Sequence, residues 1–503
     1  MKAAETSAAH VEDENVASVL NLAKRSVQTD WRSIYVTSLL AFCVAAQFSL
    51  YFSSLWPFLQ LLDSTISENF FGYVVGAYSF GQIIASPLVG FLSNKLGQIR
   101  LPLYANLTCM FIGNAIYFNL ENFSFGRRYW LVLCRLITGF GSSSISLLKA
   151  YTTTASVTKD RSRALAFVTG GVALGMTMGP TFQLLFIPLD YPGFHFLGIF
   201  KVNMYTAPAY MACCMNLFCA LITKKFFVEN YAGIVTSEDG EKVRLPPFDK
   251  KAIVVCHMTR FAQILVNSNM ETLGSPLVMA MFAWSRHEAV EYIAAAQVVM
   301  SFLAFLTYLA FIVFKPERFM SFRLGCLLSL VGLIIFHLLT ISWPFLPGQI
   351  QTFHQSNLTE TEQIGCNSAR FTWCDTLKPV NVAVFFGSYI LIVGTAFPNV
   401  NICLNTLFSK IIGPRRQGTQ QGWLQVSGAL ARMFGPVVAS NVYSTYGPQY
   451  AWGVVIAVIG LVLSLWIVFF ERMVPLQIPK EEHKELNRPP SDEITKSLTS
   501  SST

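Results

Sequence analysis

Runs of about twenty apolar residues recur along this chain, and each is long enough to cross the ~30 Å hydrocarbon core of a bilayer. No water is available at that depth to satisfy backbone N–H and C=O groups, so such runs must be helical. The composition agrees: of 503 residues, 53% are hydrophobic and 13% charged, about half the charged fraction of a soluble domain. A soluble one- or two-domain fold is excluded. The chain reads as an all-α polytopic membrane protein.

Twelve spans are expected, at 33–61, 69–93, 101–120, 129–151, 163–187, 203–223, 252–275, 289–314, 321–342, 380–408, 418–444 and 448–471. They are flanked by polar tails at 1–32 and 472–503. Glu5, Glu12, Asp13 and Glu14 fall where the apolar core of a cleavable leader would lie, so the first span is read as the insertion signal. A charged connector at 224–251 divides the spans into a six-helix bundle at 33–223 and another at 252–471, expected as pseudo-symmetric halves.

Charge gives the orientation. The tails and the connectors on their side hold 26 of the 36 Lys and Arg residues, and the opposite connectors hold six. The excess marks the cytoplasmic side, so both tails are expected there. The net charge of +8 then reflects topology and some attraction to anionic lipid rather than nucleic-acid binding. The loop at 343–379 lies on the far side. Within it, Asn357 of "NLTE" is an expected N-glycosylation acceptor. Cys366 and Cys374, eight residues apart, are either a disulfide, the favoured reading in an oxidising compartment, or two free thiols. Asn122 lies close to the bilayer and Asn106 within a span, so both are weaker acceptors.

The stretch "GFLSNKLGQIR" joins spans two and three. Gly90 and Gly97 permit close helix approach, while Lys95 and Arg100 can meet helix C-termini or lipid phosphate. Asn94 stands where an acid would make a charged latch, which reads as a weakened hinge. Span four, "LVLCRLITGFGSSSISLLKAY", places Arg135, Ser142, Ser146 and Lys149 at roughly helical spacing. Span five, "TGGVALGMTMGPTF", carries Gly171, Gly175, Gly179 and Pro180, a small-residue packing face ending in a bend.

Span seven carries Arg260, Gln263, Asn267 and Glu271 at i, i+3, i+7 and i+11, one stripe on a helix. On these boundaries Glu271 is the one carboxylate buried within a span, making it a candidate proton carrier or counter-charge. The plainer alternative is a structural ion pair with Arg260 or another intramembrane cation. Span eleven repeats the pattern with Gln421, Gln425 and Arg432, followed by Gly435-Pro436. Arg135, Lys149, Arg260 and Arg432 outnumber Glu271 by three charges. Cations are costly in a membrane and face a wet cavity or a partner; gathered in one cavity they would attract a small anion. No Cys/His cluster with metal spacing, catalytic constellation or phosphate-cradling loop is present, so neither an enzyme nor a cofactor is expected. Oligomeric state is not readable.

With these motifs in view, the chain over 33–471 resembles the major facilitator superfamily. "SLWPFLQ", "AYSFGQIIASPLVGFLSN", "NMYTAPAY", "METLGSPLVMAMFAW" and "TLFSKIIGPRRQGTQQGWLQVSGALARMFGP" resemble its endolysosomal branch linked to neuronal ceroid lipofuscinosis. That resemblance implies a major facilitator fold, a lysosomal or endosomal membrane, a glycosylated lumenal loop and chloride conductance. It places Glu271, Arg432 and Lys149 at polar positions of the branch, where arginine is usual in place of Lys149. The branch's acidic dileucine signal is not found in Met1–Asp30. "YAGI", Tyr231–Ile234, fits only a loose tyrosine-type pattern, so the plasma membrane is the alternative location. Three functions are carried forward: an anion pathway, chloride first; a proton-coupled carrier of an organic solute using Glu271; and a non-transporting receptor or scaffold on the same fold.

Overall fold

The computed structural model describes residues 28–51, 54–63, 68–196, 200–232, 246–314, 320–353, 364–369 and 371–476. Helices dominate: α1 Trp31–Ser49, α2 Leu55–Leu62, α3 Glu68–Leu96, α4 Arg100–Phe118, α5 Arg127–Gly141, α6 Ser144–Ala155, α7 Arg161–Leu184 and α8 Ala207–Phe226. Then come α9 Lys250–Phe282, α10 Arg286–Val313, α11 Phe322–Thr340, α12 Val382–Ser388, α13 Gly394–Ile412, α14 Gly418–Tyr446 and α15 Pro448–Val468. Among the described residues, ten helical stretches are long and apolar enough to cross a membrane. At 33 and 29 residues, α9 and α14 are also long enough, but they carry the two polar stripes.

Several helix starts follow local capping chemistry. The Asp249 carboxylate accepts the Lys251 and Ala252 N–H groups at the head of α9. Ser285 and Glu288 form a reciprocal capping box on α10, satisfying donors that have no partner within the helix.

Three departures from unbroken spans are present. The first span breaks between Ser49 and Leu55. Span four breaks at Ser142–Ser143, where Ser142 Oγ donates to the Gly139 carbonyl and Ser146 Oγ to the Ser143 carbonyl, both at 2.7 Å. Serine hydroxyls compete for backbone groups in this way. Arg135 and Lys149 therefore do not share one unbroken helix face. Span ten contains a π-helical turn, Tyr389–Val393, between α12 and α13.

Glycine sets the closest packing. Cβ atoms at Gly171, Gly175 and Gly179 of α7 would lie within 3 Å of α1 atoms, so those two helices touch along their backbones. Helix α9 lies against α14 and α15, with Trp466 Nε1 donating to Thr259 Oγ1 at 2.8 Å. Contact between the first six and last six spans runs mainly through α3 with α14 and α7 with α10.

The face where α1 begins is called here the tail face, and the other the loop face. On the loop face, β1 Phe194–Phe196 pairs antiparallel with β2 Phe200–Val202, and β3 Thr352–Phe353 pairs parallel with β4 Cys366–Asn367. Cys366 and Cys374 form a disulfide. Beside it Trp373 is buried against Tyr443, with ring centroids 5.1 Å apart, tying the loop to α14. Asn357 lies outside the described residues.

Candidate functional site

Close packing of α5 on α3 places the first cation. A Cβ at Gly139 would sit 2.1 Å from the Tyr78 carbonyl oxygen, so only glycine permits this approach. One turn earlier on α5, the Arg135 guanidinium then lies 4.8 Å over the Tyr78 ring. Tyr78 packs against Phe48 of α1, centroids 4.7 Å apart. Arg432 of α14 lies 5.0 Å over the other ring of that pair, Phe48. Two cations, one from the first six spans and one from the last six, therefore share a single aromatic pair. Such cation–π contacts offset part of the cost of holding a guanidinium away from bulk water.

The remaining cations extend the cluster. Arg432 is within electrostatic range of Glu271 and Arg260, and Arg260 of Lys149. Arg135 and Lys149 are each 5% exposed, and Arg260 9%. Among the described residues, Arg135 Nε has no hydrogen-bond partner. Arg260 is better satisfied: its Nη1 donates to Gln263 Oε1 at 2.9 Å and to Asn401 Oδ1 at 3.1 Å. Asn401 in turn donates to Tyr308 OH at 3.1 Å, and Asn405 to Asn401 Oδ1 at 2.9 Å.

Glu271 is not paired with Arg260. Its Oε1 accepts from Asn267 Nδ2 at 2.6 Å. Its side chain is exposed to a water-sized molecule, and a Cβ added at buried Gly274, three residues along α9, would meet nothing within 4 Å. Glu271 is thus accessible rather than packed away, which differs from the buried carboxylate expected from the span boundaries. Arg260, Gln263, Asn267 and Glu271 lie on one unbroken helix. Gln425 is half-buried on α14, two turns before Arg432, and Gln421 is buried.

Sequence reasoning missed the aromatic pair and the amides around it. Behind Arg135, Gln47 and Asn216 exchange reciprocal amide hydrogen bonds of 3.2 and 2.9 Å. Asn114 donates to Gln47 Oε1 at 3.2 Å, and Tyr51 OH donates to Asn114 Oδ1 at 2.7 Å. A small cavity opens here between Gln47, Tyr78, Asn114 and Arg135. The available signal was isolated amides within apolar runs, as in "FIGNAIYF", "CCMNLF" and "NVNICLN", because buried polar groups need partners.

The residues read as gating lie apart from this cluster, at the tail face. A Cβ at Gly90 would be 2.2 Å from the Gly418 carbonyl oxygen, and one at Gly422 2.4 Å from that of Ser86. Asn94 spans the same crossing: its Oδ1 accepts the Gly418 N–H at 3.0 Å and its Nδ2 donates to Thr419 Oγ1 at 2.9 Å. Gly97 turns the chain at φ 72°. The Glu229 carboxylate accepts the Ile99 and Arg100 N–H groups at the head of α4, while the Arg100 side chain donates to the Phe227 carbonyl. Tyr231 donates to Glu229, and Arg416 lies 4.6 Å over the Tyr231 ring. The acid missing at position 94 thus has a counterpart at Glu229, 135 residues downstream in sequence.

Long apolar helices packed around buried polar side chains are the architecture of membrane transport proteins. The Major Facilitator Superfamily model matches residues 37–353, and the chain belongs to that family. It is 30% identical over 495 residues to major facilitator superfamily domain-containing protein 8 of Xenopus laevis, covering 92% of this chain and 96% of that one. Its fold is similar to the crystal structure of the human organic anion transporter MFSD10 (TETRAN), with a TM-score of 0.61 at 17% identity over 86% of this chain and 98% of that one. It is also similar to the proton:xylose symporter XylE, at 0.61 and 14% identity over 89% and 97% of the two chains.

Proposed function

We propose that this protein passes a small anion, chloride first among candidates, through a cationic opening between two six-helix halves, 33–223 and 252–471. The observation that carries this reading is that Arg135 and Arg432, from the two halves, each lie over one ring of the Phe48–Tyr78 pair. A positive surplus in a low-dielectric enclosure concentrates anions. An organic anion transporter of similar fold is in keeping with the solute's sign. The motifs that resemble the endolysosomal branch support an endolysosomal membrane, while the charge bias supports cytoplasmic tails and a lumenal 343–379 loop, glycosylated at Asn357. In this reading Lys149, Arg260, Gln263, Asn267 and Gln425 line the pathway. Gly90, Asn94, Gly97 and Arg100 close it at the tail face, and Gly175, Gly179 and Pro180 seat α7 on α1.

A second reading rests on Glu271. An accessible carboxylate held by Asn267 near Arg432 suits a carrier that couples protons to an organic solute. Proteoliposomes carrying wild-type protein and Glu271→Gln separate the two. An anion pathway gives a current reversing at the chloride potential and unchanged by the substitution. A coupled carrier gives saturable, pH-driven uptake that the substitution abolishes. A receptor or scaffold gives neither flux.

A further inference from the structure

We infer that the groove between the head of α9 and the end of α15 is a binding site for one diacyl anionic phospholipid. The groove has a volume of about 290 Å³ and is lined by Lys250, Lys251, Val254, Val255, Leu465 and Phe469. Its position is set by the helix ends: α9 starts at Lys250 and α15 ends at Val468, so the mouth lies at headgroup depth on the tail face. Val254 is one turn deeper and Leu465 one turn back along α15. The groove therefore runs from the interface into the hydrocarbon layer.

Charge at the mouth selects the headgroup. Lys250 and Lys251 are both exposed, and among the described residues neither is in an ion pair. The carboxylate of Asp249, which would repel a phosphate, is occupied with the first N–H groups of α9 and with Arg472, 3.2 Å away. Arg323, whose Nη1 donates to the Phe470 carbonyl at 3.3 Å, adds a further cation nearby. Glu471, exposed beside Arg472, is the other acid here among the described residues. Four cations against two carboxylates leave a positive mouth above a carbon-lined slot. That combination fits a phosphodiester attached to acyl chains better than a free anion, which would gain nothing from the slot.

Native mass spectrometry of the full-length protein, titrated with dioleoylphosphatidylglycerol or dioleoylphosphatidylcholine, tests the inference. Wild type should retain one phosphatidylglycerol in preference to phosphatidylcholine. Lys250→Gln with Lys251→Gln should weaken that retention by roughly five-fold per lysine, since each interfacial cation is worth about 1 kcal/mol toward anionic lipid. Val254→Trp, which fills the slot and keeps both charges, should also displace the lipid, with thermal unfolding confirming that each variant is folded. Equal retention of the two lipids by wild type, or unchanged preference in the folded lysine variant, overturns the site. Displacement by glycerol 1-phosphate as effective as that by the whole lipid would do the same, because it would assign the site to a free phosphate.

Discussion

At the scale of single residues, the chemistry turns on how guanidinium groups are tolerated within a membrane. Arg260 has amide partners in Gln263 and Asn401, whereas Arg135 and Arg432 rest on aromatic faces. An aromatic face accepts a cation without neutralising it, so in the proposed anion pathway those two would keep their field available to a solute. Arg135→Gln and Arg432→Gln are each expected to lower anion flux in proteoliposomes by about ten-fold or more, with thermal stability close to wild type. Flux unchanged in both folded variants would remove them from the pathway. These cations were legible in the sequence because charge in an apolar run is conspicuous. Phe48 and Tyr78 were not, since aromatic residues are ordinary membrane composition and only packing through Gly139 reveals their task.

At the scale of elements, the crossing of α3 and α14 is the tightest joint between the first and last six spans. A methyl group at Gly90 or Gly418 would overlap the opposing backbone, and backbone cannot rotate away as a side chain can. Gly90→Ala should therefore force the two helices apart. A loss of about 1–3 kcal/mol is expected, with increased labelling of a cysteine introduced at Thr419. Wild-type labelling and stability would mean that the crossing adjusts freely. The glycine spacing was readable in "GFLSNKLGQIR". The partners were not: Asn94 meets Gly418 from 324 residues away, and Glu229 belongs to the connector. Such pairings depend on the tertiary fold. The break at Ser142–Ser143 was missed for a different reason, because helical periodicity continues through it while the serine hydroxyls take the backbone groups.

At the scale of the whole molecule, the twelve-span plan was legible almost entirely, because the bilayer imposes length and apolarity on every crossing helix. Only the two spans bearing the polar stripes, α9 and α14, blur that signal. The assignment of faces rests on charge counting, and glycosylation checks it: Asn357→Gln should abolish the endoglycosidase-sensitive mass shift of the wild-type protein. A shift that survives would move the sugar to another site, and no shift in wild type would count against a lumenal loop. Asn94 has a consequence at this scale too. The carboxamide that grips the head of α14 carries no proton to gain and no charge for salt to screen. That clasp would hold as firmly at low pH as at neutral pH, so its own release would not follow the acidity of either face.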